Sequence, residues 1–200
     1  MGRLGIFGGT FDPPHLGHLI LVDEAQSQLC LERVLWVLTP DPPHKEDQQL
    51  TALAHRLEML TAAISDNPSF HISRVDIDRP APHYAVDTVR LLAEACSRDE
   101  LIYLMGGDSL HDLPAWHTPR QFVEACDGIG VMRRPGDRVA LKSLENALPG
   151  LTQKVRFIEA PLLEISSSDI RLKASQGKPI RYYLPPPVYQ IIQERKLYQK

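Results

Sequence analysis

Residues 4–18 read Leu4-Gly5-Ile6-Phe7-Gly8-Gly9-Thr10-Phe11-Asp12-Pro13-Pro14-His15-Leu16-Gly17-His18, and the reading of this stretch decides the fold. The apolar run Leu4–Phe7 has the length of a buried strand, two glycines and a proline pair turn the chain, and a helical pattern then runs over Leu16–Leu29. A strand, a glycine turn and a helix start in that order make an anion site. Free backbone N–H groups and the positive end of the helix dipole point at one spot, and phosphate is the natural ligand. His15 and His18 stand three apart on the first helical turn, and Gly17 removes a side chain between them. A bare His-x-x-His is more often surface decoration than a ligand set, but the glycine turn ahead of this one reverses that preference.

Outward from this unit the same alternation continues. Val34–Leu38, His71–Ile77, Leu101–Met105, Ile129–Met132 and Val155–Ile158 read as further strands. Leu53, Leu57, Leu60 and Ile64 space a helix over Leu53–Ile64, and Val86, Val89, Leu92 or Ala93 and Cys96 space another. Thr118-Pro119 offers an N-cap and a proline at the first helical position for a short helix to about Cys126. Ser166 or Ser167 caps one more, and a last helix runs from Val188 to about Lys196, where Ile191 and Ile192 should pack inward. Proline-bearing segments at Pro40–Lys45, Arg79–His83 and Pro185–Pro187 read as loops. Such alternation predicts an α/β, doubly wound, Rossmann-like fold: a mostly parallel sheet with helices on both faces and right-handed crossovers. One domain should span 1–200, with a C-terminal helical segment from about 166. Ligands of such sheets bind beyond the carboxyl ends of the strands, where strand order reverses.

Composition narrows the function. Hydrophobic residues at 43% and charged residues at 24% are ordinary globular values, and a net charge of −3 argues against broad nucleic-acid binding. Cys30, Cys96 and Cys126 are odd in number and form no Cys-x-x-Cys, which indicates neither a disulfide framework nor a zinc site and suits a reducing cytoplasm. The N-terminal residues lack the apolar length of a signal peptide, and no run approaches a membrane span. Zinc would need further ligands at a spacing such as His-Glu-x-x-His, and both a dehydrogenase Gly-x-Gly-x-x-Gly and a P-loop are absent from the first turn.

At His15-Leu16-Gly17-His18 the sequence resembles the nucleotidylyltransferase superfamily. The fuller string Gly-Gly-Thr-Phe-Asp-Pro-x-His-x-Gly-His over 8–18 resembles the bacterial nicotinate-nucleotide adenylyltransferases. Ile165-Ser166-Ser167-Ser168-Asp169-Ile170-Arg171 is similar to the superfamily's Ile-Ser-Ser-Thr-x-Ile-Arg, with Ser168 in place of threonine. The likeness runs on through Pro42-Pro43-His44-Lys45, Pro82-His83-Tyr84-Ala85-Val86-Asp87-Thr88, Gly106-Gly107-Asp108-Ser109, Leu113-Pro114-Ala115-Trp116-His117 and Arg133-Arg134-Pro135-Gly136 to the Arg181–Pro185 region. Ala85 stands where relatives carry threonine, and His117 where they often carry tyrosine.

The resemblance implies a reaction and a set of roles. Gly8, Gly9, Thr10, His15, His18, Gly106, Asp108, Ser167, Ser168 and Arg171 would bind ATP, with Asp108 on a ribose and His18, His15 and Arg171 acting in catalysis. Thr10, Lys45, Tyr84, Ala85, Thr88, Trp116 and Arg134 would bind the mononucleotide, with Trp116 stacked on the pyridine ring. Nicotinate mononucleotide would attack the α-phosphorus of ATP in line, giving deamido-NAD and pyrophosphate. The nucleophile is already an anion, so positioning and charge neutralisation carry the catalysis without a dedicated base. Mg²⁺ would arrive with ATP, and no residues are assigned as metal ligands. Nicotinamide mononucleotide or another phosphorylated acceptor is the nearest rival nucleophile, and a non-catalytic nucleotide-binding regulator is the rival of another class. A cytoplasmic enzyme with small-molecule substrates is expected, without nucleic acid or membrane as partner and with a homo-oligomer left open.

Overall fold

The computed structural model of the chain describes residues 2–41, 50–133, 141–161 and 163–199. In chain order the elements are β1 (Arg3–Gly9), α1 (Leu16–Leu29), β2 (Arg33–Leu38), α2 (Leu53–Ile64), β3 (Phe70–Ser73), α3 (Ala85–Ala95), β4 (Glu100–Gly106) and α4 (Gly107–Asp112). They continue with α5 (Pro119–Ala125), β5 (Gly128–Arg133), α6 (Leu141–Ala147), α7 (Leu151–Lys154), β6 (Val155–Glu159), α8 (Ser167–Ser175) and α9 (Pro186–Glu194). The six strands form one sheet in the order β3-β2-β1-β4-β5-β6, and every pairing is parallel. Strand order therefore reverses between β1 and β4, beside the glycine turn.

Period-two alternation feeds both faces of the sheet. Leu4, Ile6, Leu101, Tyr103, Ile129 and Val131 turn to one side and pack with Val89, Phe122 and Leu151 from α3, α5 and α7. Phe7, Trp36, Leu104, Met132 and Ile158 turn to the other and meet Val22, Leu60 and Ile192 from α1, α2 and α9. Gly130 lets α1 lie close on β5, because a Cβ there would stand 2.9 Å from Leu29 Cδ1 and 2.7 Å from Leu104 Cδ2.

Four expectations are corrected. The strand expected over 71–77 ends at Ser73, because residues 74–78 close a turn in which Asp78 N–H donates to Arg74 O at 2.9 Å and Arg74 pairs with the Asp78 carboxylate at 2.7 Å. Thr118 holds the N-cap position of α5 with left-handed φ of 45° and makes no side-chain cap, so Pro119 at the first turn alone marks that start. Pro186 and Pro187 form the first turn of α9 rather than a loop, since their fixed φ is already helical. Two short helices, α6 and α7, occupy the connection before β6, where the sequence reading placed none.

Candidate active site

The turn between β1 and α1 is built around an aromatic wedge. Phe11 is buried with φ of 45°, a conformation that costs a bulky residue of order 1–3 kcal/mol unless its surroundings fix it. Here the ring packs against Phe7 at 5.6 Å, Trp36 at 5.4 Å and His18 at 5.2 Å between centroids. Burying Phe11 forces the turn outward, and it puts His15 at the N-cap of α1.

His15 and His18 lie face to face, with centroids 3.6 Å apart and planes 18° from parallel. His18 Nδ1 accepts the backbone N–H of His15 at 3.2 Å, which fixes the ring over the head of the helix. His15 is 5% exposed, and its Nδ1 has no hydrogen-bond partner among the described residues. Burial alone pushes its pKa down to about 4, so the ring is neutral at pH 7. Gly17 makes room for it, since a Cβ there would stand 3.0 Å from His15 Nδ1.

A second helix N-terminus arrives at the same turn. Ser166 caps α8 by accepting Asp169 N–H at 3.1 Å and donating to Asp169 Oδ2 at 2.7 Å. Ser167 Oγ donates to Pro13 O at 2.8 Å, and Arg171 Nη1 donates to Asp12 O at 2.8 Å. Arg171 and Ser167 are thus tied to the β1–α1 turn, and the heads of α1 and α8 converge with an arginine between them. Two dipole ends, two imidazoles and a guanidinium suit a polyphosphate.

Across the switch point, Gly106 ends β4 with open space where a Cβ would stand, and Asp108 is exposed in the first turn of α4. Trp116 is half-buried, edge-on to Phe122 at 5.2 Å and Tyr103 at 6.3 Å, while Tyr84 and His117 stack at 3.9 Å and 15°. Thr88 is buried, and its Oγ donates to Asp76 Oδ1 at 2.7 Å. Arg79 completes this network, donating to Asp76 at 3.1 Å, Pro82 O at 2.8 Å and Tyr84 O at 3.3 Å. Thr88 therefore shapes the loop that carries Tyr84 and Ala85, its hydroxyl already engaged with Asp76. Lys45 and Arg134 lie outside the described residues, as do most of the Pro40–Lys45 loop and Pro135–Gly136.

Sequence reasoning missed the polar scaffold under the turn. Arg56 of α2, 2% exposed, donates to the carbonyls of Thr10 at 3.2 Å, Thr39 at 2.9 Å, Pro40 at 2.7 Å and Thr51 at 2.9 Å. Burial lowers its pKa and the nearby Asp12 charge opposes that shift. Its signal was legible: Arg56 falls between Leu53, Leu57 and Leu60 on the apolar stripe of α2, where a charge needs buried partners. Among the described residues no group of three or more His, Cys, Asp or Glu is arranged to hold a metal ion, and no helix is long and apolar enough to cross a membrane.

The cytidylyltransferase-like family model matches residues 6–173. The chain is 46% identical over 199 residues to a probable nicotinate-nucleotide adenylyltransferase of Thermomicrobium roseum, covering all of this chain and 92% of the relative. It is 38% identical over the full length of both chains to the nicotinate-nucleotide adenylyltransferase of Bacillus subtilis. Its fold matches that of Plasmodium falciparum nicotinic acid mononucleotide adenylyltransferase complexed with NaAD, with a TM-score of 0.80 at 20% identity over 99% of this chain and 98% of that one.

Proposed function

The chain belongs to the nicotinate-nucleotide adenylyltransferases of the cytidylyltransferase-like family, and from that premise we infer that it transfers the adenylyl group of ATP to nicotinate mononucleotide, giving deamido-NAD and pyrophosphate. One observation carries the assignment to this site: the heads of α1 and α8 meet at the β1–α1 turn with His15 and His18 stacked there and Arg171 held to Asp12 O at 2.8 Å.

A phosphate oxygen of the mononucleotide attacks the α-phosphorus, the bond to the bridging oxygen of pyrophosphate breaks, and pyrophosphate leaves with that electron pair. Negative charge grows on the α-phosphoryl and leaving oxygens. His18, His15, Arg171 and the amides of Gly8, Gly9, Thr10, Ser167 and Ser168 are our choice for holding it. Neutral His15 serves as a hydrogen-bond donor through the ring nitrogen that carries its proton, and Arg171 supplies fixed positive charge. Gly106 and Asp108 take the ATP ribose side. Trp116 stacks on the pyridine, and Tyr84, Ala85 and Thr88 form its carboxylate end through the head of α3. Thr10, Lys45 and Arg134 approach the mononucleotide phosphate, and Mg²⁺ enters on the ATP phosphates. The same proposal treats the chain as one domain working in the cytoplasm.

The test is pyrophosphate release from Mg-ATP with nicotinate mononucleotide and, separately, nicotinamide mononucleotide. A kcat/KM at least a hundredfold higher for the acid is expected. Preference for the amide would move the chain to the sister activity, and ATP binding without turnover on either would leave a nucleotide sensor.

A further inference from the structure

Asp12 joins three parts of the chain at the phosphate turn. Its carboxylate is 1% exposed; one oxygen accepts Thr51 N–H at 3.1 Å, just ahead of α2, and the other accepts the Tyr198 hydroxyl at 2.6 Å. Its main-chain carbonyl holds Arg171 at 2.8 Å. Tyr198 comes from the turn after α9, where Lys196 and Tyr198 both have positive φ, 52° and 63°, and Leu197 N–H donates to Ile192 O at 3.0 Å. Leu197 and Tyr198 pack against the core that also buries Phe11 and Met59. Burial first, and then the Asp12 charge, raise the phenol pKa, which keeps the hydroxyl a donor.

The Tyr198 hydroxyl bonds to Asp12 and feels the Arg171 charge, and the atom it holds belongs to the turn that sets the reaction's geometry. Asp12 lies three residues before His15, and it is the residue whose carbonyl anchors Arg171. A buried carboxylate left with an unpaired oxygen rearranges toward water or another donor, and the turn must move with it. Displacements of about 1 Å in a positioned catalytic group cost on the order of a hundredfold in rate.

We propose that Tyr198 is a positioning residue for adenylyl transfer: through the Asp12 carboxylate its hydroxyl sets the β1–α1 turn, and with it the convergence of His15, His18 and Arg171. The inference rests on the functional reading above. A mere anchor for the segment after α9 would lose melting temperature on removal of the hydroxyl and leave turnover of the folded protein untouched.

The experiment compares the parent with Tyr198→Phe, Asp12→Ala and the double variant, at least 20 °C below each melting temperature. It reads kcat, both KM values and amide hydrogen exchange over 8–18. Tyr198→Phe should lower kcat about tenfold or more with both KM values within threefold. Amides over 8–18 should exchange at least tenfold faster, while those of α3 keep the parent's rates. The double variant should be no more than twofold slower than Asp12→Ala, since the hydroxyl acts only through that carboxylate. A kcat within twofold of the parent, unchanged exchange over 8–18, or losses that multiply in the double variant would each overturn the proposal. If the parent has no turnover with nicotinate mononucleotide, the functional reading has failed, and exchange over 8–18 still decides whether Tyr198 sets the turn.

Discussion

His15 and His18 are stacked partners in different surroundings. His15 is buried and held neutral, whereas His18 is half-exposed with its Nδ1 occupied by the helix cap. On the proposed function, this division would make His18 the better group for charge that appears only in the transition state. His18→Ala should therefore lower kcat at least a hundredfold with KM for ATP within about threefold; a steady-state assay with normal kcat would remove it from the mechanism. For His15 the consequence is in pH. Its folded pKa of about 4 lies below an unfolded value near 6.5, so protons bind the unfolded chain first. The associated stability is complete above about pH 6.5 and is lost as pH falls toward 4, about 3 kcal/mol in all. Urea denaturation between pH 6.5 and 4.5 should give the parent a slope steeper than that of His15→Gln by about 1 kcal/mol per pH unit. Equal slopes would mean that the ring is hydrated in the folded protein.

At the scale of elements, the start of α3 is shaped by Asp76, Arg79 and Thr88 rather than by a capping side chain, for Tyr84 holds the N-cap without a side-chain bond. Thr88→Val leaves the Asp76 carboxylate short of a donor. It should cost about 1–3 kcal/mol in stability and raise KM for the mononucleotide severalfold while KM for ATP stays put. Calorimetry and paired steady-state assays check both parts. Strands and long helices were legible because their apolar periods are strong, and Leu16–Leu29 and Leu53–Ile64 carry the bounds read from the sequence. Strand β3 was overread because Val75 and Ile77 continue an apolar alternation that the Arg74–Asp78 pair cuts short. Short helices α6 and α7 carried no caps or periods clear enough to read. The β1–α1 turn was legible from its glycines and histidines. Arg56 left a trace on an apolar stripe, and Tyr198 left none, since a contact 186 residues distant has no local pattern.

Over the whole molecule, the parallel sheet gathers the carboxyl ends of its strands on one edge, and the site draws on β1, β4 and the heads of α1, α3, α4 and α8. Cohesion comes from two apolar layers and the buried Arg56 clamp. Removing Mg²⁺ with excess EDTA should abolish turnover yet leave the melting temperature of the substrate-free protein within about 1 °C; a larger fall would mean a structural ion. The bond between Asp12 and Tyr198 also has a consequence in time. Asp12 leaves the ribosome 186 positions ahead of Tyr198, about 10–40 s at ordinary rates of synthesis. The β1–α1 turn is thus made well before it is fastened, so a polypeptide halted between the two residues carries the turn without the hydroxyl that holds Asp12.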